Sequence, residues 1–135
     1  MTLSRRASRR TAFFLLYQWD VTGQPLASLY EGEVDEFARE TAEAVAARVD
    51  ELDRRITAAS EGWTADRLGA VERNILRLAT YELEEGSVPL EVAIDEAVTL
   101  AKRYATEDAG RLVNGILGRI ARERRSPEAS LADAV

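Results

Sequence analysis

The chain has 135 residues, 46% of them hydrophobic, which suffices for one compact domain, and no apolar run approaches the roughly 20 residues needed to span a bilayer. Cysteine and histidine are both absent, which removes thiol nucleophiles, disulfides, imidazole bases and the usual zinc ligand sets. The net charge of −6, taken whole, argues against a polyanionic partner.

Ala, Leu, Glu and Arg dominate and interior Gly and Pro are scarce, so helix is favoured at most positions. Ser4 is placed to cap a first helix running to about Thr22, where Gly23 and Pro25 end it. From Ala12 to Trp19 this helix is apolar on nearly every side, as expected of a helix in the middle of a core. One long helical stretch is predicted over about 33–60, with Val34, Phe37, Ala38, Thr41, Val45, Val49, Leu52 and Ile56 at three- and four-residue steps. Gly62 closes it, and Trp63 is expected to plug the junction. A short turn follows from Thr64, then a helix over about 70–84 with Val71, Ile75, Leu78, Ala79 and Leu83 on its apolar stripe. Gly86, Ser87 and Pro89 mark a break. The next helix, about 90–104, lines up Ala93, Ile94, Ala97, Leu100, Ala101 and Tyr104. Thr106 caps a last helix that is expected to bury Leu112, Val113, Ile116, Leu117 and Ile120, with Glu107 and Asp108 in its first turn, where acids suit the helix dipole. No strand-like segment and no Gly-rich phosphate loop is evident. The expectation is an all-α, compact helical domain over residues 1–126, with halves of about 1–62 and 63–126 and a flexible tail over 127–135.

Charge is unevenly spread along this plan. Residues 1–19 hold Arg5, Arg6, Arg9 and Arg10 and no acid, a charge of +4. Residues 101–125 hold seven basic against three acidic residues, again +4, which leaves −14 on the remainder. Basic ends on an acidic body suggest a polyanion partner. The four arginines fall at roughly 0°, 100°, 40° and 140° around the first helix, so all project into one sector at its start. There they oppose the helix dipole and repel one another, and no acid along the same helix relieves them. Pairing with the acidic body is one outcome; the other is a phosphate backbone, which suits the forked guanidinium donors. Tyr17, Trp19 and Tyr104 offer aromatic faces of the kind that hold single-stranded RNA, though each also suits a core.

Several segments then resemble the NusB family of transcription antitermination factors. They are RRTAFFLLYQWD from Arg9 to Asp20, VERNILRLATYEL from Val71 to Leu83, VPLEVAIDEAV from Val88 to Val98, LAKRY from Leu100 to Tyr104, Glu107-Asp108, and VNGIL from Val113 to Leu117. The blocks follow the family's order and spacing from about residue 4 to 124. The resemblance implies an all-α fold of two three-helix halves. It also implies binding to the single-stranded boxA element of nascent ribosomal RNA transcripts. The implied protein partner is NusE, also a small-subunit ribosomal protein, and the pair reaches RNA polymerase and other Nus factors indirectly. No cofactor, metal or membrane is implied, the location is cytoplasmic, and both monomer and homodimer are compatible with the fold.

By position, Arg5, Arg6 and Arg9 match the family's arginine-rich RNA-binding segment, and Arg10 adds charge beside them. Tyr17 joins them as an aromatic face. Lys102, Asp108, Arg111 and Leu112 fall on a second RNA-contacting region around the start of the last helix. An aromatic often stands in the family where this chain has Leu112, and a basic residue where it has Glu91. Glu72 matches an acidic position on the side that meets NusE. Asn114 is expected to hydrogen-bond a neighbouring helix's carbonyl, and Gly110, Gly115 and Gly118 to permit close helix approach. Two other readings compete: a helical protein-binding adaptor without RNA contact, and a helical mutase-type enzyme, which needs inward-facing Arg and Glu in a closed pocket. The residues favour a protein that is not an enzyme.

Overall fold

The computed structural model describes residues 4–125. It contains six α-helices: α1 (Arg5–Thr22), α2 (Glu36–Ala47), α3 (Val49–Ala59), α4 (Ala70–Glu85), α5 (Leu90–Tyr104) and α6 (Glu107–Arg125). Single 3-10 turns at Leu26–Leu29 and Ala65–Arg67 lie in the connections, and there is no strand among the described residues. The expected all-α arrangement of two three-helix halves is what the chain adopts. The tail expected over 127–135 lies outside the described residues.

The helix ends follow local chemistry. Ser4 is extended and its Oγ accepts the Ala7 N–H at 3.1 Å, so α1 starts at Arg5. α1 stops at Gly23, whose φ of 71° lies in the left-handed region and whose N–H donates to the Trp19 carbonyl. Asp35 caps α2 through Ala38 N–H at 3.0 Å, and Thr106 Oγ1 accepts the Ala109 N–H at 3.0 Å at the start of α6.

The long stretch expected over 33–60 is instead two helices broken at Arg48, where φ is −113° and ψ 17°. Arg48 N–H bonds only three residues back, to Val45. The bend brings the Arg48 side chain to Glu51 at its own helix start and to Glu84 of α4, which Arg55 of α3 also meets. The apolar spacing runs on through the break, so periodicity alone does not reveal it.

α4 is the central helix and packs against all five others. Seven consecutive residues, Asn74 to Thr80, are buried. Ile75, Leu76, Leu78 and Leu83 share one core with Phe13 and Leu16 of α1, Val45 of α2, Leu52 and Ile56 of α3, and Ile116, Leu117 and Ile120 of α6. A polar node pins the rotation of α4. Arg77 clamps Asp53 of α3 through two 2.7 Å hydrogen bonds and lies 3.3 Å from Asp20 of α1, which also accepts from Arg73 and Asn74 at 2.8 Å. Burial alone would push the Asp20 carboxyl up; the hydrogen bonds from Asn74 and Arg73 and the charges of Arg77 and Arg73 outweigh it and hold it below the usual range.

Five further expectations need correction. Trp63 does not plug the α3–α4 junction but stands 55% exposed, in a loop where Ser60 Oγ donates to the Trp63 carbonyl and the Ala65 N–H donates to Thr57 Oγ1. α1 is not buried all round, since Phe14 is 41% exposed. Leu112 is 39% exposed rather than core, and Asn114 is exposed and bonds no neighbouring helix among the described residues, both being turned outward on α6. Of the three glycines of α6, only Gly110 serves a close approach: a Cβ there would lie 2.8 Å from Lys102 Cγ, whereas Gly115 has nothing within 4 Å and Gly118 meets only an Arg122 nitrogen at 3.4 Å. No described helix is long and apolar enough to cross a membrane.

Candidate nucleic-acid interface

Capping at Ser4 sets Arg5 and Arg6 in the first turn of α1, next to its positive dipole end. The compensating anions come from far along the chain. Arg6 donates through Nε and Nη2 to Glu96 Oε1 of α5 at 3.1 and 3.0 Å. Arg9 is turned inward and forms a two-pronged pair with Glu82 of α4, at 2.7 to 3.0 Å, with Glu96 at 3.9 Å behind it. Burial alone would lower the Arg9 pKa; the hydrogen bond and charge of Glu82 and the charge of Glu96 outweigh it and raise it, so Arg9 stays a cation. The expectation of four arginines unsatisfied by their own chain is therefore corrected for Arg6 and Arg9, whose partners lie 90 and 73 residues away. Arg5 stands over the ring of Phe37, 3.8 Å from its centroid. Arg10 is half-buried and has no ionic partner among the described residues.

These side chains border a cleft of about 560 Å³ walled by Arg5, Arg6 and Arg9 on one side and by Phe37, Pro89, Val92 and Glu96 on the other. Arg6 keeps 77% of its side chain exposed, so its pair with Glu96 is screened and readily exchanged. The buried Arg9–Glu82 pair is a different object. It fixes α1 against α4 and so aims its neighbours outward.

The second expected cluster sits where α5 turns into α6 at Ala105. The stem of Lys102 lies along Gly110, and its ammonium is 3.7 Å from Glu107. Asp108 and Arg111 form an exposed pair one turn apart, beside the exposed Leu112. α1 and α5 both pack on α4 and point the same way, bridged by long side chains, since Arg6 meets Glu96 and Phe14 meets Tyr104, each 90 residues on. The basic start of α1 and the basic α5–α6 corner thus lie along one seam. Tyr17 is half-buried, 6.4 Å from Phe13 between ring centroids. Glu72 is away from this seam, half-buried in the first turn of α4 with its carboxylate folded over Gly69. Glu91 is exposed in the first turn of α5.

Sequence reasoning missed Phe14 and Arg103 at this seam. Phe14 packs edge-to-face on Tyr104 at 5.2 Å, and Arg103 lies 5.5 Å from the Tyr104 ring. A signal existed: Arg6, Arg10 and Phe14 follow one another at four-residue steps, so Phe14 continues the arginine row.

Six helices in two halves, with a basic and aromatic seam between first and fifth, define an all-α module with a polar recognition face and no catalytic constellation among the described residues. The NusB family model matches residues 6–122. "Transcription antitermination protein NusB" of Rubrobacter xylanophilus is 45% identical over 122 residues, covering 85% of this chain and 88% of that one. A solved NusB from T. maritima superposes with a TM-score of 0.81 at 38% identity, covering 97% and 99% of the two chains. A structure of antitermination factors NusB and NusE in complex with dsRNA does so with a TM-score of 0.77 at 32% identity, covering 87% and 96%. The chain belongs to the NusB family. That family is one of transcription antitermination proteins rather than enzymes, which sets aside the mutase-type reading.

Proposed function

We propose that the chain is a transcription antitermination factor of the cytoplasm that binds boxA-type single-stranded RNA in nascent ribosomal RNA transcripts together with NusE. The observation that carries the reading is the outward set of Arg5, Arg6 and Arg10 on α1, in line with the Lys102, Asp108 and Arg111 corner. Guanidinium forks at a helix start, where they disfavour the free helix, are matched by phosphate oxygens. Arg9 acts here as a positioning residue, since its guanidinium is committed to Glu82. Cations interleaved with aromatic side chains suit a strand whose bases are unpaired. The relative solved with NusE carries dsRNA, so the strand state is a point to be measured. Glu72, in the first turn of α4 and so toward the opposite end of that helix from Glu82 and the arginine it meets, is the residue assigned to NusE, following the family resemblance.

The test is binding of a boxA-type RNA, single-stranded and as a duplex, by the wild type and by Arg5→Ala/Arg6→Ala/Arg10→Ala, with and without NusE. Each phosphate contact on a single strand contributes about −0.7 to the slope of log affinity against log salt, so the triple variant should lose about 2 from that slope while its helical signal is kept. Unchanged affinity in the triple variant, or a preference for the duplex, defeats the reading. A Glu72→Lys variant should keep RNA binding alone and lose the gain that NusE brings.

A further inference from the structure

Phe14 is a large apolar side chain left 41% exposed on the outer face of α1, in one row with Arg6 and Arg10. It is not loosely held. Its ring is 5.5 Å from Phe13 and 5.2 Å from Tyr104, at 82° to the latter. Phe13 is 2% exposed and also touches Tyr104 at 5.7 Å, so one buried ring supports both outer rings from below. A perpendicular pair leaves at least one ring face uncovered by its partner, and solvent reaches that pair.

The surroundings of the two rings are cationic. Arg10 precedes Phe14 by one helical turn and has no ionic partner among the described residues. Arg103 leans over Tyr104, and Lys102, the next residue along, keeps 47% of its side chain exposed. Tyr104 is the last residue of α5, so the rings lie between the arginine row of α1 and the α5–α6 corner that carries Asp108 and Arg111. Two cationic regions with an exposed Phe14 ring and a half-buried Tyr104 ring between them have the make-up of a single-strand groove, in which cations follow the backbone and π-faces take the bases.

We propose that Phe14 and Tyr104 form a stacking platform for bases of a single-stranded RNA, joining the arginines of α1 to the corner before α6. The inference rests on the RNA-binding reading above and adds the contact that holds bases. RNA is favoured over a docked protein because Arg10 lies one turn before Phe14 and Arg103 lies over the Tyr104 ring.

The experiment is fluorescence anisotropy of the full chain with a labelled boxA-type single strand of about twelve nucleotides. Phe14→Leu keeps apolar volume and helix propensity at a partly exposed position and removes the ring. Binding by Phe14→Leu should weaken about five- to a hundred-fold with the salt slope unchanged, because stacking carries no charge. Arg10→Ala should instead lower the slope by about 0.7. On the same strand with abasic sites at its centre, the wild type should fall to the level of Phe14→Leu, and Phe14→Leu should lose nothing more. Wild-type affinity in Phe14→Leu, a loss that appears as a reduced salt slope, or a loss confined to capture of purified NusE would overturn the platform while leaving the RNA reading in place. Failure of the wild type to bind the strand at all would overturn both.

Discussion

Arg9 and Glu82 are 10% and 11% exposed in their side chains, so their attraction is little screened and neither has water to fall back on. Removing one member of such a pair strands the other's charge, at about 3–5 kcal/mol. The two single variants should not be equal. In Arg9→Ala the Glu82 carboxylate loses its cation outright, so the full cost of about 3–5 kcal/mol is expected. In Glu82→Ala the Arg9 guanidinium still has Glu96 at 3.9 Å, which should hold the loss to about 2–3 kcal/mol. Against a total stability of about 5–15 kcal/mol for a small domain, either change is large. Arg9→Met/Glu82→Met, which fills the space with apolar atoms, should recover most of the loss. Urea unfolding followed by circular dichroism at neutral pH measures all four proteins. Stability of Arg9→Ala within about 1 kcal/mol of the wild type, or Glu82→Ala as the worse variant, would refute the geometry argued here.

Asp20 titrates lower in the folded state than unfolded, so it contributes stability that is present above the unfolded pKa of about 3.9 and is lost as pH falls through the folded value. Urea midpoints measured down an acid series should fall less steeply below about pH 4 in Asp20→Asn than in the wild type; parallel curves would contradict the node at Arg77. Gly115→Ala meets no atom within 4 Å and should raise stability by about 0.5–1 kcal/mol through helix propensity, whereas Gly110→Ala, which must displace Lys102, should give no such gain in the same thermal melts. Trp63→Ala should cost less than about 1 kcal/mol, since the indole is largely in water; a loss above about 2 would restore it as a junction plug.

What the chain order discloses and what it conceals divide along the reach of each interaction. Ser4, Thr106, Gly23 and the apolar rows of α4 and α5 act within one or two turns, and each does in the structure what its local chemistry suggests. The break at Arg48 escapes notice because the apolar rows keep their phase across it and Glu84, which Arg48 meets there, lies 36 residues on. The pairing of Arg6 and Arg9 is concealed for the same reason. Along α1 alone the four arginines look alike, and only the carboxylates brought by α4 and α5 separate the committed Arg9 from Arg10, which has no ionic partner among the described residues. Phe14 and Trp63 look interior in the sequence because large apolar residues usually are; their exposure depends on where neighbouring helices stop. Of the two basic regions, the sequence names both but cannot say that they share a seam.

The equal spacing of ninety residues between facing positions on α1 and α5 makes that seam a join between the N-terminal and C-terminal trios of helices. A polymer laid lengthwise on such a join acts as a strap, tightening the two trios together while it stays bound. Saturating oligonucleotide should then protect the chain against heat, by about 2.7 kcal/mol at a hundred times the dissociation constant. By the same reciprocity, any substitution that lets the trios drift apart should loosen the grip on the strand without touching a single contact to it.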